Sequence, residues 1–169
     1  TLVLKGSSTG DVPQTFGEFL EQIGGRTQLQ IELKQQKDAA GTKALAATVA
    51  TALKGYTGPY TIESFDPNLL IAVRREGIAA PLGIITYGYD EPKWDPKLTG
   101  WQKFAPRHLL HWPLTRFNFI SCRNVSLYLP AVRFFRARGM EVTAWTITSE
   151  QAATASQRGA DQIVFEGFL

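Results

Sequence analysis

The sequence predicts a parallel α/β fold built from six consecutive strand and helix units. Three observations support this. Short apolar runs recur along the chain, each is followed by a segment with helical periodicity, and 169 residues with 44% hydrophobic and 20% charged residues suffice for one core. Regular alternation of strand and helix is typical of a parallel sheet covered by helices. We therefore treat residues 1–169 as a single domain.

The strand candidates are short runs rich in apolar residues. They are Leu29–Leu33, Tyr60–Glu63, Leu82–Thr86, Phe117–Ser121, Val142–Ile147 and Gln162–Phe165. The helix candidates have apolar residues at helical spacing or a favoured first turn. They are Thr15–Ile23, Thr42–Leu53, a helix from Pro67 capped by Asp66, a helix around Lys103–Leu110, Leu127–Arg138, and a helix capped by Ser149.

Two architectures accommodate these units. A doubly wound open sheet accepts six strands, whereas a (β/α)8 barrel needs eight strands and typically about 250 residues. The length of the chain favours the open sheet. The residue pattern of the first strand candidate, described below, favours the barrel.

Composition excludes several classes of protein. The net charge is only +3 and the basic residues are scattered, so we do not expect a nucleic-acid binder. No apolar run reaches the ~18 residues of a membrane span. The single cysteine, Cys122, rules out an internal disulfide, and residues 1–5 lack the layout of a signal peptide. We therefore expect a cytoplasmic protein and leave open whether it forms a homo-oligomer.

The first strand candidate has one apolar and one polar face. Residues 29–34 are Leu-Gln-Ile-Glu-Leu-Lys, and side chains alternate across a strand. In a barrel, the polar face would point into the mouth, the end where the carboxyl termini of the strands open and catalytic groups collect. Glu32 could supply oxygen ligands to Ca²⁺ or Mg²⁺, and Lys34 could contact a phosphate oxygen. A Glu/Lys pair at this spacing is also common at a solvated strand end, so both interpretations stay open.

Five passages of the sequence, in order, resemble glycerophosphodiester phosphodiesterases. They are VPQTF at 12–16 with IELK at 31–34, ESFD at 63–66, PLGI at 81–84, GMEVTAWT at 139–146 and GADQI at 159–163. The resemblance runs from Val12 to Ile163. It implies a TIM-type barrel that hydrolyses a small glycerophosphodiester to glycerol 3-phosphate and an alcohol with a divalent metal, Ca²⁺ or Mg²⁺.

The resemblance also assigns site residues. It implies that Glu32 is a metal ligand and that Lys34 is a catalytic residue that contacts the phosphate. Trp145 corresponds to an aromatic residue at the substrate-binding mouth. Ser64 and Phe65 are expected close to the same mouth and are predicted to contact substrate. Strand alternation places Glu63 on the face opposite Ser64.

The family's opening motifs do not occur in this chain. These are H-R-G, E-N-T, an acidic E-x-D strand and H-D, and the only histidines, His108 and His111, match none of them. We therefore expect an incomplete barrel of about six βα units that lacks the first two strands and is inactive alone. The alternative is a non-catalytic barrel fragment that binds a phosphate-bearing ligand or a partner subunit. An open-sheet α/β enzyme is disfavoured because no glycine-rich loop follows any strand.

Overall fold

The computed structural model of the chain describes residues 8–90, 98–157 and 159–167. The six strands within these ranges are β1 (Leu29–Glu32), β2 (Tyr60–Ser64), β3 (Leu82–Thr86), β4 (Phe119–Arg123), β5 (Glu141–Ile147) and β6 (Gln162–Phe165). The helices are α1 (Phe16–Ile23), α2 (Ala39–Leu53), α3 (Pro67–Arg75), α4 (Gly100–Arg107), α5 (Trp112–Thr115), α6 (Pro130–Arg136) and α7 (Glu150–Ser156), with a 3₁₀ turn at Asn124–Ser126.

All six strands form one parallel sheet in the order β1-β2-β3-β4-β5-β6. Each strand therefore lies beside the strand that precedes it in the chain, and at least one helix lies between each pair in sequence. The predicted parallel α/β fold is confirmed. No helix among the described residues is long and apolar enough to cross a bilayer.

The sheet is curled rather than flat. Phe65 directly follows β2 and Trp145 belongs to β5, yet their ring centroids lie 5.7 Å apart. Neighbouring strands lie about 4.8 Å apart, so the three spacings from β2 to β5 would separate these rings by about 14 Å in a flat sheet. The sheet therefore forms part of a TIM-type barrel. That interpretation is confirmed, and the open-sheet alternative is wrong.

The hydrophobic core lies between the outer face of the sheet and the helices. Ile62, Leu69, Leu70 and Val73 are completely buried, which packs α3 against β2. Leu29 and Leu33 also belong to this core. The apolar face predicted for the first strand therefore packs against the helices, and its polar face is turned to the inside of the curl.

The boundaries of β4 and α6 differ from the predictions. β4 begins at Phe119 rather than at Phe117, because the side chain of Asn118 accepts a hydrogen bond from the backbone N–H of Leu82 and its own N–H donates to the Leu82 carbonyl. Residues 127–138 do not form one helix. Leu129, just before Pro130, has ψ 130°, the extended conformation that a following proline imposes. The helix therefore starts at Pro130.

Candidate functional site

Two glutamates lie side by side at the carboxyl ends of β1 and β2. Glu32 and Glu63 are register partners in this parallel pair, so their side chains share the inner face of the sheet. Gln30, two residues earlier on the same face of β1, donates a hydrogen bond from Nε2 to Oε2 of Glu63 at 2.7 Å. A pair of carboxylates thus occupies the predicted mouth of the partial barrel.

Glu32 and Lys34 form an ion pair. The Lys34 Nζ donates to Oε1 of Glu32 at 2.6 Å, and the two side chains are 77% and 32% exposed. Exposed pairs of this kind contribute only about 0–1 kcal/mol to stability. Since an ammonium group has three donors, Lys34 can bind a phosphate oxygen while it remains beside Glu32. The polar face predicted from the sequence therefore carries an accessible cation.

Glu63 is a buried carboxyl group on the same face. Burial raises its pKa, and the nearby charge of Glu32 acts in the same direction. The hydrogen bond from Gln30, the nearby hydroxyl of Ser121 and the charge of Lys34 partly oppose that rise in pKa. The sequence predicts Ser64 at the mouth and Glu63 on the opposite face. The structure reverses the two, because Glu63 is the register partner of Glu32 on the inner face and Ser64 is buried on the other face. The contribution of Glu63 to the inner face was missed, because that contribution depends on the register between two strands.

The structure does not bring Ser64 to the inner face. Its side chain is fully buried, and its hydroxyl donates to the carbonyl of Leu33 at 2.7 Å and accepts from the N–H of Asp66 at 3.0 Å. Asp66 in turn accepts a hydrogen bond from the N–H of Asn68 and caps α3. Ser64 therefore ties the end of β1 to the turn that leads from β2 into α3.

Four aromatic side chains form a wall beside the acidic pair. Phe65 makes edge contacts with Trp145 at 5.7 Å and with Tyr87 at 6.1 Å between ring centroids. Tyr87 stacks on Tyr89 at 4.1 Å. Phe65 and Trp145, which the sequence placed separately at the mouth, are thus brought into contact. The participation of Tyr87 and Tyr89 was not predicted, since they belong to a segment without clear periodicity.

The described residues do not form a complete metal site. No group of three or more histidine, cysteine or acidic side chains in this part of the chain is arranged to hold an ion. His108 Nδ1 lies 2.8 Å from the carbonyl oxygen of Phe104, and His111 packs on Phe117. Glu32 is exposed enough to bind a cation, but its further ligands are not found among the described residues. The geometry provides a cation and an aromatic wall, which suit a phosphate ester with an organic substituent, and two carboxylates, which suit a cation.

Comparison with solved structures connects this fold to one group of enzymes. No family model and no curated protein sequence matches the chain. Solved structures do match. A glycerophosphodiester phosphodiesterase from Parabacteroides distasonis has a TM-score of 0.68 and 14% identity, over 94% of this chain and 62% of its own. That from Thermotoga maritima has a TM-score of 0.62 and 17% identity, over 90% of this chain and 59% of its own.

A third match carries a ligand. The phosphodiesterase from Oleispira antarctica, solved in complex with the product sn-glycerol-3-phosphate, has a TM-score of 0.61 and 16% identity, over 88% of this chain and 54% of its own. The chain thus spans between about half and two thirds of the length of these structures. At such low identity the likeness concerns the fold. The chain has the fold of part of a glycerophosphodiester phosphodiesterase barrel, as its sequence motifs predicted.

Proposed function

We propose that this chain contributes part of the active site of a metal-dependent phosphodiesterase that hydrolyses glycerophosphodiesters to glycerol 3-phosphate and an alcohol. The observation that carries the proposal is the Glu32–Lys34 pair at the carboxyl end of β1. In barrels of this type catalytic groups collect at that end. The similarity of the fold to several glycerophosphodiester phosphodiesterases supports the choice of substrate.

In this proposal Lys34 is the catalytic residue that binds the phosphate. Its ammonium group is a compact positive charge at the end of a flexible stem, so it can follow a phosphate oxygen as negative charge develops during hydrolysis. The 77% exposure of its side chain makes it accessible to a small substrate. The glycerol 3-phosphate bound to the Oleispira antarctica phosphodiesterase supports this class of ligand.

Glu32 would provide one oxygen ligand to a divalent ion, Ca²⁺ or Mg²⁺, which would supply positive charge at the phosphate. Such ions take six or more oxygen ligands, some of them water. The described residues fit this role only in part, because no third acidic side chain joins Glu32 and Glu63. Glu32 is therefore assigned as one of the ligands of that ion.

The aromatic wall would hold the organic part of the substrate. Trp145 and Phe65 form adjoining apolar surfaces that can pack against a glycerol or alcohol group. Ser64 would position the backbone beside this wall, since its hydroxyl donates to the Leu33 carbonyl and accepts from the N–H of Asp66, the residue after Phe65.

The proposed location of the protein is the cytoplasm. The proposal is based on the single cysteine, Cys122, which is buried and free.

The alternative proposal is a non-catalytic module that binds a phosphate-bearing ligand or a partner subunit. One observation favours it. The described residues contain an accessible cation beside an aromatic wall but no cluster that could hold a metal ion. Binding needs only the cation and the wall, whereas hydrolysis also needs groups that activate water and protonate the leaving alcohol.

Hydrolysis of glycerophosphocholine and glycerophosphoethanolamine in the presence of Ca²⁺ or Mg²⁺, assayed on the natural protein in which this chain occurs, separates the two proposals. If the chain is catalytic, Glu32→Ala should lower the rate by about 10²-fold or more, because a ligand to the charge-stabilising ion is lost. Glu21→Ala, which removes an exposed carboxylate from α1, is the matched control and should leave the rate unchanged. Full activity in Glu32→Ala would contradict the catalytic assignment. Ligand binding without hydrolysis would support the binding module.

A further inference from the structure

Helix α4 is amphipathic, but its apolar face is turned away from the protein. At 100° per residue, Trp101 and Phe104 lie on one side of the helix, and Lys103 and Arg107 lie on the other. The Arg107 guanidinium donates to the carbonyl of Gly88, so the basic side faces the end of β3. Amphipathic helices of soluble domains normally bury the apolar side.

The outward face of α4 is aromatic and open. Trp101 is 69% exposed and Phe104 45% exposed, and their rings stack with centroids 5.6 Å apart. The ring of His108 lies 4.1 Å from that of Phe104 and extends the same face. No residue of α4 is buried. Exposed aromatic pairs of this kind are typical of a surface that contacts another protein, a ligand or a membrane.

No acidic residue occurs from Leu98 to Met140, although basic residues are spread along the whole chain. Residues 98–140 contain seven lysines and arginines and no aspartate or glutamate, whereas the rest of the chain has eleven basic and fifteen acidic residues. The same segment carries eight of the twelve exposed large hydrophobic residues of the described chain. They are Leu98, Trp101, Phe104, Leu110, Leu114, Val125, Tyr128 and Phe134. The segment is therefore both cationic and apolar at its surface.

Helices α5 and α6 continue this surface beyond α4. The rings of Trp112 and Phe135 lie 5.7 Å apart and join the two helices. Arg116 lies over the ring of Trp112 at 5.6 Å, and Arg138 lies over the exposed ring of Phe134 at 3.8 Å. Cations are thus placed directly on aromatic faces, an arrangement suited to a boundary between apolar and anionic material.

Closing the barrel would not cover this segment. The two edges of the sheet are β1 and β6, whereas α4 and α5 follow β3, and α6 follows β4. Strands added at either edge would pair with β1 or β6, and β3 and β4 lie between these two edges. Strands paired at either edge would therefore not lie directly against Trp101 and Phe104.

We propose that residues 98–140 form a peripheral binding surface for an anionic lipid bilayer. Trp101, Phe104 and Leu114 enter the boundary between headgroups and acyl chains. The exposed arginines of α6 and of the turns that follow α5 and α6 face acidic headgroups, namely Arg116, Arg133 and Arg138. A nucleic acid fits less well, because exposed leucine and valine side chains offer bases no stacking partner. The proposal goes beyond the hydrolytic function and does not depend on it.

Co-sedimentation of the full chain with vesicles tests this surface. We expect binding to vesicles of phosphatidylcholine mixed with phosphatidylglycerol, weaker binding to phosphatidylcholine alone, and loss of binding at high salt. The double variant Trp101→Ala/Phe104→Ala should lower the partition coefficient on the order of tenfold or more, since two interfacial aromatic anchors are removed. Phe19→Ala, which removes an exposed ring from α1, is the matched control and should bind like the wild type. Circular dichroism checks that each variant is folded.

Four outcomes would overturn the proposal. One is no sedimentation of the wild-type chain with the anionic vesicles at low salt. Another is unchanged binding by the folded double variant. Displacement of the chain from vesicles by a single-stranded polynucleotide at equal phosphate concentration would indicate a nucleic-acid surface instead. Concentration-dependent self-association that Trp101→Ala/Phe104→Ala abolishes, without vesicle binding, would indicate a second copy of this chain as the occupant.

Discussion

The imidazole of His111 is packed on Phe117, and its Nε2 is buried without a hydrogen-bond partner among the described residues. Burial lowers the pKa of His111 from 6.5 to about 4. The unfolded chain therefore binds a proton at this residue at a higher pH than the folded chain does. Stability is unaffected by this group above pH 6.5 and falls as the pH decreases from 6.5 towards 4.

We expect His111→Phe to remove this dependence. The phenyl ring keeps the packing on Phe117 but cannot titrate, so the variant should lack a destabilisation of up to about 3 kcal/mol between pH 6.5 and 4. Urea unfolding of both proteins at several pH values measures the difference. Leu114→Phe, at an exposed residue three positions after His111, is the control and should keep the wild-type slope. If the free energy of unfolding depends on pH in the same way for His111→Phe and the wild type, His111 is not the source of the acid destabilisation.

Individual residues of the candidate site were predictable to different degrees. Glu32 and Lys34 could be predicted because strand alternation alone places both on the polar face of β1. Glu63 could not be assigned its place beside Glu32, because that depends on which residues of β1 and β2 are register partners. Ser64 was expected at the mouth, but its hydroxyl donates a hydrogen bond to the Leu33 carbonyl and accepts one from the Asp66 N–H. Its predicted contact with substrate stays a prediction.

At the scale of single elements, the packing of β3 on β4 depends on a glycine. Gly83 and Phe119 are register partners on the inner face, and a Cβ added at Gly83 would lie 2.2 Å from the Phe119 ring. Since the ring is buried, it must move to admit even one methyl group. We expect Gly83→Ala to lower the free energy of unfolding by about 1–3 kcal/mol.

Two further variants check this explanation by urea unfolding. In a Phe119→Leu background the smaller side chain leaves room, so Gly83→Ala should cost less there than in the wild type. Gly17→Ala in α1, where nothing lies within 4 Å of the added Cβ, should be neutral or stabilise by up to about 1 kcal/mol. If Gly83→Ala lowers the free energy of unfolding equally in the wild type and in Phe119→Leu, the Phe119 ring is not the cause of the destabilisation.

Boundaries of elements were predictable where local signals dominate. β3 and β6 have the predicted ends, and Asp66 with Pro67 and Ser149 begin their helices as expected. β4 was misplaced because the hydrogen bonds between Asn118 and Leu82 link residues far apart in sequence. The outward orientation of α4 could not be inferred either. A helical pattern shows that a face is apolar but not what that face packs against.

At the scale of the whole molecule, the curl of the sheet brings the site together. Strand periodicity predicts parallel strands but not whether they close, and chain length favoured an open sheet. The resemblance of five motifs to barrel phosphodiesterases predicts a curved sheet, and the contact between Phe65 and Trp145 confirms that curvature. The edge strands β1 and β6 present backbone groups on which further strands can pair. Both the acidic pair and the aromatic wall lie on the inner face of this curl.

Binding of sn-glycerol 3-phosphate to the full chain, measured by isothermal titration calorimetry, tests most directly whether this inner face is a phosphate-ester site. We expect saturable binding that Lys34→Met weakens about tenfold, the effect of losing one charge-assisted phosphate contact. Lys43→Met, which removes an exposed lysine from α2, should leave the dissociation constant unchanged. No binding by the wild-type chain, or equal dissociation constants for the wild type and Lys34→Met, would contradict the assignment of the site.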